Sequence, residues 1–162
     1  MEISDFRALY TAELQEACSI EAQLVEALPK AADTASTTEL KQAIRMHLDE
    51  TRDHLRRVEG LLRQHGVASG EHTDQSMQAM IRDSEKWANM IRNPHLREAA
   101  LIASAQRIAH YEIVVYGTLS TWAKQLGLKE DLRTLHAILE QEKQADEKLT
   151  SLAKEAVNPA AA

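Results

Sequence analysis

Residues 132–153 read LRTLHAILEQEKQADEKLTSLA. Leu132, Leu135, Leu139, Glu142, Asp146, Leu149 and Ala153 recur in alternating steps of three and four residues. That period keeps them on one face of an α-helix. The face is apolar except near its middle, where Glu142 and Asp146 stand in the line of leucines. An ionised carboxylate taken out of water costs several kcal/mol unless it is paired or bound to a metal. The stretch therefore predicts a helix that packs lengthwise against others and carries a polar centre inside the packing.

Three further segments repeat the arrangement. A first helix is expected from after Ser4, an N-cap candidate, to about Ala32, with Phe6, Tyr10, Ala17, Leu24 and Leu28 as its stripe and Glu21 within it. Pro29 should bend it or loosen its last turn. Ser36 followed by Glu39 matches a capping box, so a second helix is expected over about Thr37–His65, stopped by Gly66. Its stripe runs Leu40, Ile44, Thr51, Leu55, Val58, Leu62, flanked by Glu50 and His54. Val67–Thr73 reads as a loop and Asp74–Ile91 as a shorter helix with Met77, Met80, Ile81, Trp87 and Ile91 on its apolar side. Asn93-Pro94 is an N-cap followed by proline in the first turn. It opens a long helix to about Leu126 whose face holds Leu101, Ala105, Ile108, Glu112, Tyr116, Leu119 and Ala123. After Gly127 the last helix covers about Lys129–Val157.

Two short-looped helix hairpins joined by a long crossover define an all-α, antiparallel four-helix bundle of the ferritin-like type, with one short crossover helix. One domain spanning residues 1–162 is expected. Composition agrees. Hydrophobic residues make up 44% and aromatics 4%, so aliphatic side chains must build the core, and five Gly with three Pro leave little turn chemistry for strands. The net charge of −6 argues against a nucleic-acid partner, whose footprint would be basic. No apolar run approaches the ~18 residues of a membrane span, and Met1–Tyr10 shows no secretory signal. Cys18 is alone, so no intrachain disulfide forms and a reducing cytoplasm is the expected compartment.

The acidic positions also repeat: Glu21 recurs as Glu112, Glu50 as Glu142 and His54 as Asp146, each 91 or 92 residues on. Carboxylate-bridged sites in such bundles draw single Glu residues from two helices and a pair of ligands from each of the others. Glu21 and Glu112 are the expected single ligands, Glu50 with His54 and Glu142 with Asp146 the expected pairs. Asp53 competes with His54. Oxygen donors with little imidazole and no thiolate suit iron, with manganese as the alternative, and two ions per chain nearly balance the charge. His47, His110 and His136 read as polar surroundings rather than ligands. Such a centre would meet a small oxidant, dioxygen or peroxide; the rival expectation is a non-catalytic assembly module with a vestigial site. A homodimer is expected, with Trp87 and the Met77–Ile91 face either covering a partner or closing the protomer's own core.

Several segments resemble the YciE/YciF family of bacterial ferritin-like stress proteins. They are Ile20-Glu21-Ala22-Gln23-Leu24, His47-Leu48-Asp49-Glu50-Thr51, Ala99 through Ala103 with His110-Tyr111-Glu112-Ile113 and Tyr116-Gly117-Thr118-Leu119, and Leu139 through Thr150. The resemblance implies a ferritin-like bundle that pairs as a dimer. It departs at Ala109, where the family reads Glu; the internal repeat sets Glu112, not position 109, opposite Glu21.

Overall fold

The computed structural model describes residues 3–69 and 72–162; residues 1–2, at the start of Met1–Tyr10, and residues 70–71, within the expected Val67–Thr73 loop, lie outside the described residues. Four long helices, α1 (Phe6–Thr34), α2 (Thr38–Gln64), α4 (Pro94–Gln125) and α5 (Lys129–Leu152), form the bundle. The crossover helix α3 (Gln75–Met90) lies against α4 and α1. Around the bundle, α1 neighbours α2 and α4, while α5 neighbours α4 and α2. The described residues contain no strand.

Hydrogen bonds at the two ends fix the direction of each helix. At what we call the lower end, Tyr10 near the start of α1 donates to Asp131 Oδ2 at 2.7 Å, and His65 Nε2 at the end of α2 lies 2.6 Å from the same oxygen. Asp131 belongs to the first turn of α5. At the upper end the buried Glu98, in the first turns of α4, accepts the backbone N–H groups of Ser36 and Thr37 between α1 and α2. So α1 and α5 run up, α2 and α4 run down, and α3 returns the chain from bottom to top.

Most helix boundaries fall where the pattern sets them, and the differences have local causes. Asp5, not Ser4, caps α1, accepting from Ala8 N at 2.8 Å; its carboxylate also meets the positive pole of the helix. Pro29 lies inside α1, which continues to Thr34; its missing N–H removes one bond to the preceding turn, and the bonds on either side carry the helix on. The Ser36–Glu39 capping box does not form. Thr37 is the N-cap, its hydroxyl accepting from Leu40 N at 3.4 Å, and a carboxylate from another helix, Glu98, satisfies the neighbouring amides instead. Gly66 and Gly127 take φ values of 67° and 71°, the left-handed conformation in which glycine ends a helix without a Cβ clash. After Leu152 the last helix widens into a π turn over Ala153–Val157 before a final turn, α6 (Asn158–Ala161). Pro159 has no N–H for the usual bond to Glu155, and the wider turn accommodates that loss.

The buried apolar residues fall into two clusters. The lower one joins Tyr10, Leu14, Leu62, Tyr116, Leu119, Leu135 and Ile138 among others. Within it Met77 is fully buried, with Met80 and Ile81 packed against it, so the first half of α3 closes the protomer's own core. The upper cluster is smaller and built around Ala32, Ala35, Leu40, Ile44, Leu101 and Ile102.

Candidate metal centre

Between the two clusters lies a knot of polar side chains. Glu21, His54, Glu112 and Glu142, one from each long helix, are all 0% exposed. Each sits on the core-facing side of its helix, which is why packing brings them together at mid-height. His54 Nδ1 lies 3.1 Å from Glu142 Oε1 and 3.7 Å from Glu21 Oε1. His54 Nε2 is 3.1 Å from Gln141 Oε1. An amide oxygen can only accept, so Nε2 carries a hydrogen and Nδ1 is the ring atom turned to the acids. A partner that fixes a ring in this way is what orients an imidazole for a metal. The Tyr116 hydroxyl donates to Glu21 Oε1.

His47 completes the group. It lies seven residues, two helical turns, before His54 on α2, and its Nε2 is 4.0 Å from Glu142 Oε2. Two sets of three donors result: Glu21, His54 and Glu142, and His47, Glu112 and Glu142. In each set the donor atoms lie within 4.8 Å of one another. Donors ~2.1 Å from one ion stand at most ~4.2 Å apart, so a small rotation of the side chains closes either set on a metal. The sets share Glu142, which leaves one oxygen for each.

Unpaired buried atoms supply the test of fit. Both oxygens of Glu112, Glu142 Oε2 and Glu21 Oε2 are buried without a hydrogen-bond partner. Buried polar atoms rarely go unsatisfied, and here they converge on one region. Carboxylate and imidazole are donors that hard and borderline divalent ions accept, so the residues fit a metal ion.

Burial and mutual repulsion dominate the electrostatics of the acids. Burial, then the charges of Glu142 and Glu21, push Glu112 well above the usual carboxylate range. Burial also raises Glu21, against the pull of His54. Burial works to lower His54, but the carboxylates of Glu142 and Glu21 outweigh it and lift the imidazole to about 10. A proton on His54 thus offsets part of the charge of Glu142 and Glu21.

The other sequence-expected ligands lie at the margin. The Glu50 side chain is 26% exposed and meets His47 Nδ1 at 3.7 Å rather than the central acids. Asp146 accepts from Gln106 Nε2 at 3.2 Å and lies 3.5 Å from His110 Nδ1. Asp53 pairs with Arg56 and Arg57 on the surface side of α2. His47, read from the sequence as surroundings, stands among the donors. The signal for it was the seven-residue step to His54, which repeats one helix face.

With that geometry in place, comparison with known proteins is informative. A family model described as a domain of unknown function, DUF892, matches residues 5–162. The chain belongs to the DUF892 family. It is 37% identical over 146 residues to Protein YciF of Escherichia coli strain K12, covering 90% of this chain and 88% of that protein. The crystal structure of the E. coli stress protein YciF superposes with a TM-score of 0.91 at 35% identity, covering 96% of this chain and 98% of that one. YcfI from Rhodopseudomonas palustris matches with a TM-score of 0.89 at 31% identity over 93% and 96% of the two chains. The resemblance to YciF seen in the sequence thus extends over the whole bundle. Among the described residues, no helix is long and apolar enough to cross a membrane.

Proposed function

We propose that this DUF892 protein is a cytoplasmic stress-response protein that holds two metal ions, iron by preference and manganese as the alternative, between its long helices. The observation that carries the reading is the pair of three-donor sets sharing Glu142, in which both Glu112 oxygens, Glu142 Oε2 and Glu21 Oε2 are buried and unpaired. Three carboxylates and two neutral imidazoles carry about −3, which two divalent ions more than balance. The stress role rests on the E. coli relative, which is a stress protein, and the compartment on the lone thiol of Cys18.

A bound iron pair supplies redox chemistry toward a small oxidant, dioxygen or peroxide. The chain's own residues bind, orient and shield. Glu21, His54 and Glu142 would hold one ion and His47, Glu112 and Glu142 the other, with Glu50 and Asp146 at the margin. Gln141 sets the His54 ring, Tyr116 holds Glu21, and the lower core keeps water out from below. The second reading is a homodimeric assembly module, favoured by Trp87, Met90 and Leu96, which are 39%, 66% and 47% exposed around the α3–α4 junction.

Elemental analysis of protein purified without chelators tests the first reading. About two ions per chain are expected, both lost in Glu142→Ala, while Glu50→Ala and Asp146→Ala retain most of the metal. Full loading of Glu142→Ala, or none in the parent, rejects it. Sedimentation at micromolar concentration tests the second: a dimer that Trp87→Glu splits supports it, and a monomeric parent removes it.

A further inference from the structure

Directly above the polar knot the bundle is hollow. A cavity of about 130 Å³ lies among all five main helices, bounded by Ala105 and Ala109 of α4, Ala145 of α5, Ile44 of α2 and Leu24 of α1. Part of the cause is in the sequence: Ala105, Ala109 and Ala145 line the hollow with side chains too short to fill it. At its lower end the lining becomes polar, with His47 and Glu50. At its rim Lys30 and Glu85 pair at 2.7 Å, so their charges cancel near the mouth.

We propose that this cavity binds a small organic molecule with a compact apolar body and one uncharged hydrogen-bonding end, the polar end lying against His47 and Glu50. Size selects the class. An apolar cavity of ~150 Å³ in another protein stays dry and takes benzene, so the hollow here admits a ring or a short chain and excludes a helix or strand of a partner protein. Charge narrows it further. Leu24, Ile44, Ala105, Ala109 and Ala145 present alkyl groups, which would strip a charged group of water without replacement. The His47–Glu50 end, nearest the polar knot, offers a donor and an acceptor together, as a hydroxyl or hydroperoxyl group requires. The arrangement holds a ligand's polar end beside the metal centre, yet the binding needs no metal.

The test uses the full chain in chelator, with 1-hexanol as the probe, followed by amide chemical shifts in ¹H–¹⁵N NMR spectra. Saturable shifts confined to the surroundings of Ile44, Ala105 and Ala145 are expected. Hexane-1,6-diol should bind about tenfold more weakly, because its second hydroxyl must be buried without a partner. Ala145→Leu and Ala105→Leu, which fill the hollow from two different helices, should each weaken binding at least about tenfold while keeping the helical circular dichroism. Either variant that stays folded decides the matter. Scattered or non-saturating shifts overturn the proposal, as does undiminished binding in a folded variant. Chelator is present throughout, so failure of the metal reading leaves this outcome independent.

Discussion

The two halves of the bundle differ although the same four helices build both. Below the acids, Tyr10, Leu14, Tyr116, Leu119, Leu135 and Ile138 are all 0% exposed and belong to one packed cluster. Above them, the inward positions shrink to alanine and a cavity of about 130 Å³ opens. The ends are fastened differently as well. The lower end is tied by side chains meeting across helices, Tyr10 and His65 on Asp131. The upper end is tied by a carboxylate on backbone, Glu98 on the amides that begin α2. The difference teaches where each job resides. A close-packed half gives stability, and a half with missing methylenes gives up stability for space next to the polar centre.

Truncations should break this contrast most visibly. Leu119→Ala removes a fully buried side chain from the packed half and should cost about 3–5 kcal/mol. Leu101→Ala borders the existing hollow, so less surrounding structure depends on it, and it should cost about 2 kcal/mol. Urea unfolding of both variants checks the ranking; equal losses would mean the upper half is as tightly packed as the lower.

The boundary between the halves should respond to pH with a sign set by metal. In chelator, Glu112 and His54 bind protons more tightly in the folded than in the unfolded chain. Their contribution is therefore complete below the unfolded pKa values and is lost as pH rises through the folded ones. For His54 that loss starts above 6.5 and runs to about 10. Chelated protein should thus hold or gain melting temperature as pH falls from about 7 to about 5, a range typical of buried-carboxylate shifts. Metal-loaded protein should lose melting temperature over the same range, because protons compete with the ions for ligands. Scanning calorimetry of the two samples checks this, and parallel curves would mean that the acids do not share one centre.

The smallest effects concern the ends. Glu98→Ala should cost about 2 kcal/mol, the upper range for a lost helix cap, with metal content unchanged. At the lower end, Gly127→Ala should cost about 1 kcal/mol by forcing a side chain into the left-handed region. Thermal melts of both would sharpen the comparison of the two fastenings, and a harmless Glu98→Ala would show that the upper turn holds itself.

The sequence by itself determined the helices, their order and which side of each faces inward. Those properties depend on local periodicity and on short-range signals such as Asn93-Pro94, Gly66 and Gly127, and neighbours along the chain carry that information. It also marked Glu21, Glu112 and Glu142 as acids on apolar faces. Only the tertiary structure decided height and partner. Residues four apart rise ~6 Å along a helix, so one member of each expected pair reaches the centre: His54 from Glu50/His54, and Glu142 from Glu142/Asp146. The internal repeat, which equates Glu50 with Glu142, does not tell which. His47 enters because α2 sits at the height that brings its earlier turn opposite Glu142. The clasp of Glu98 on Ser36 and Thr37 joins residues some sixty positions apart in the chain. The hollow exists only where alanines of separate helices meet at one level, and no single helix records that meeting.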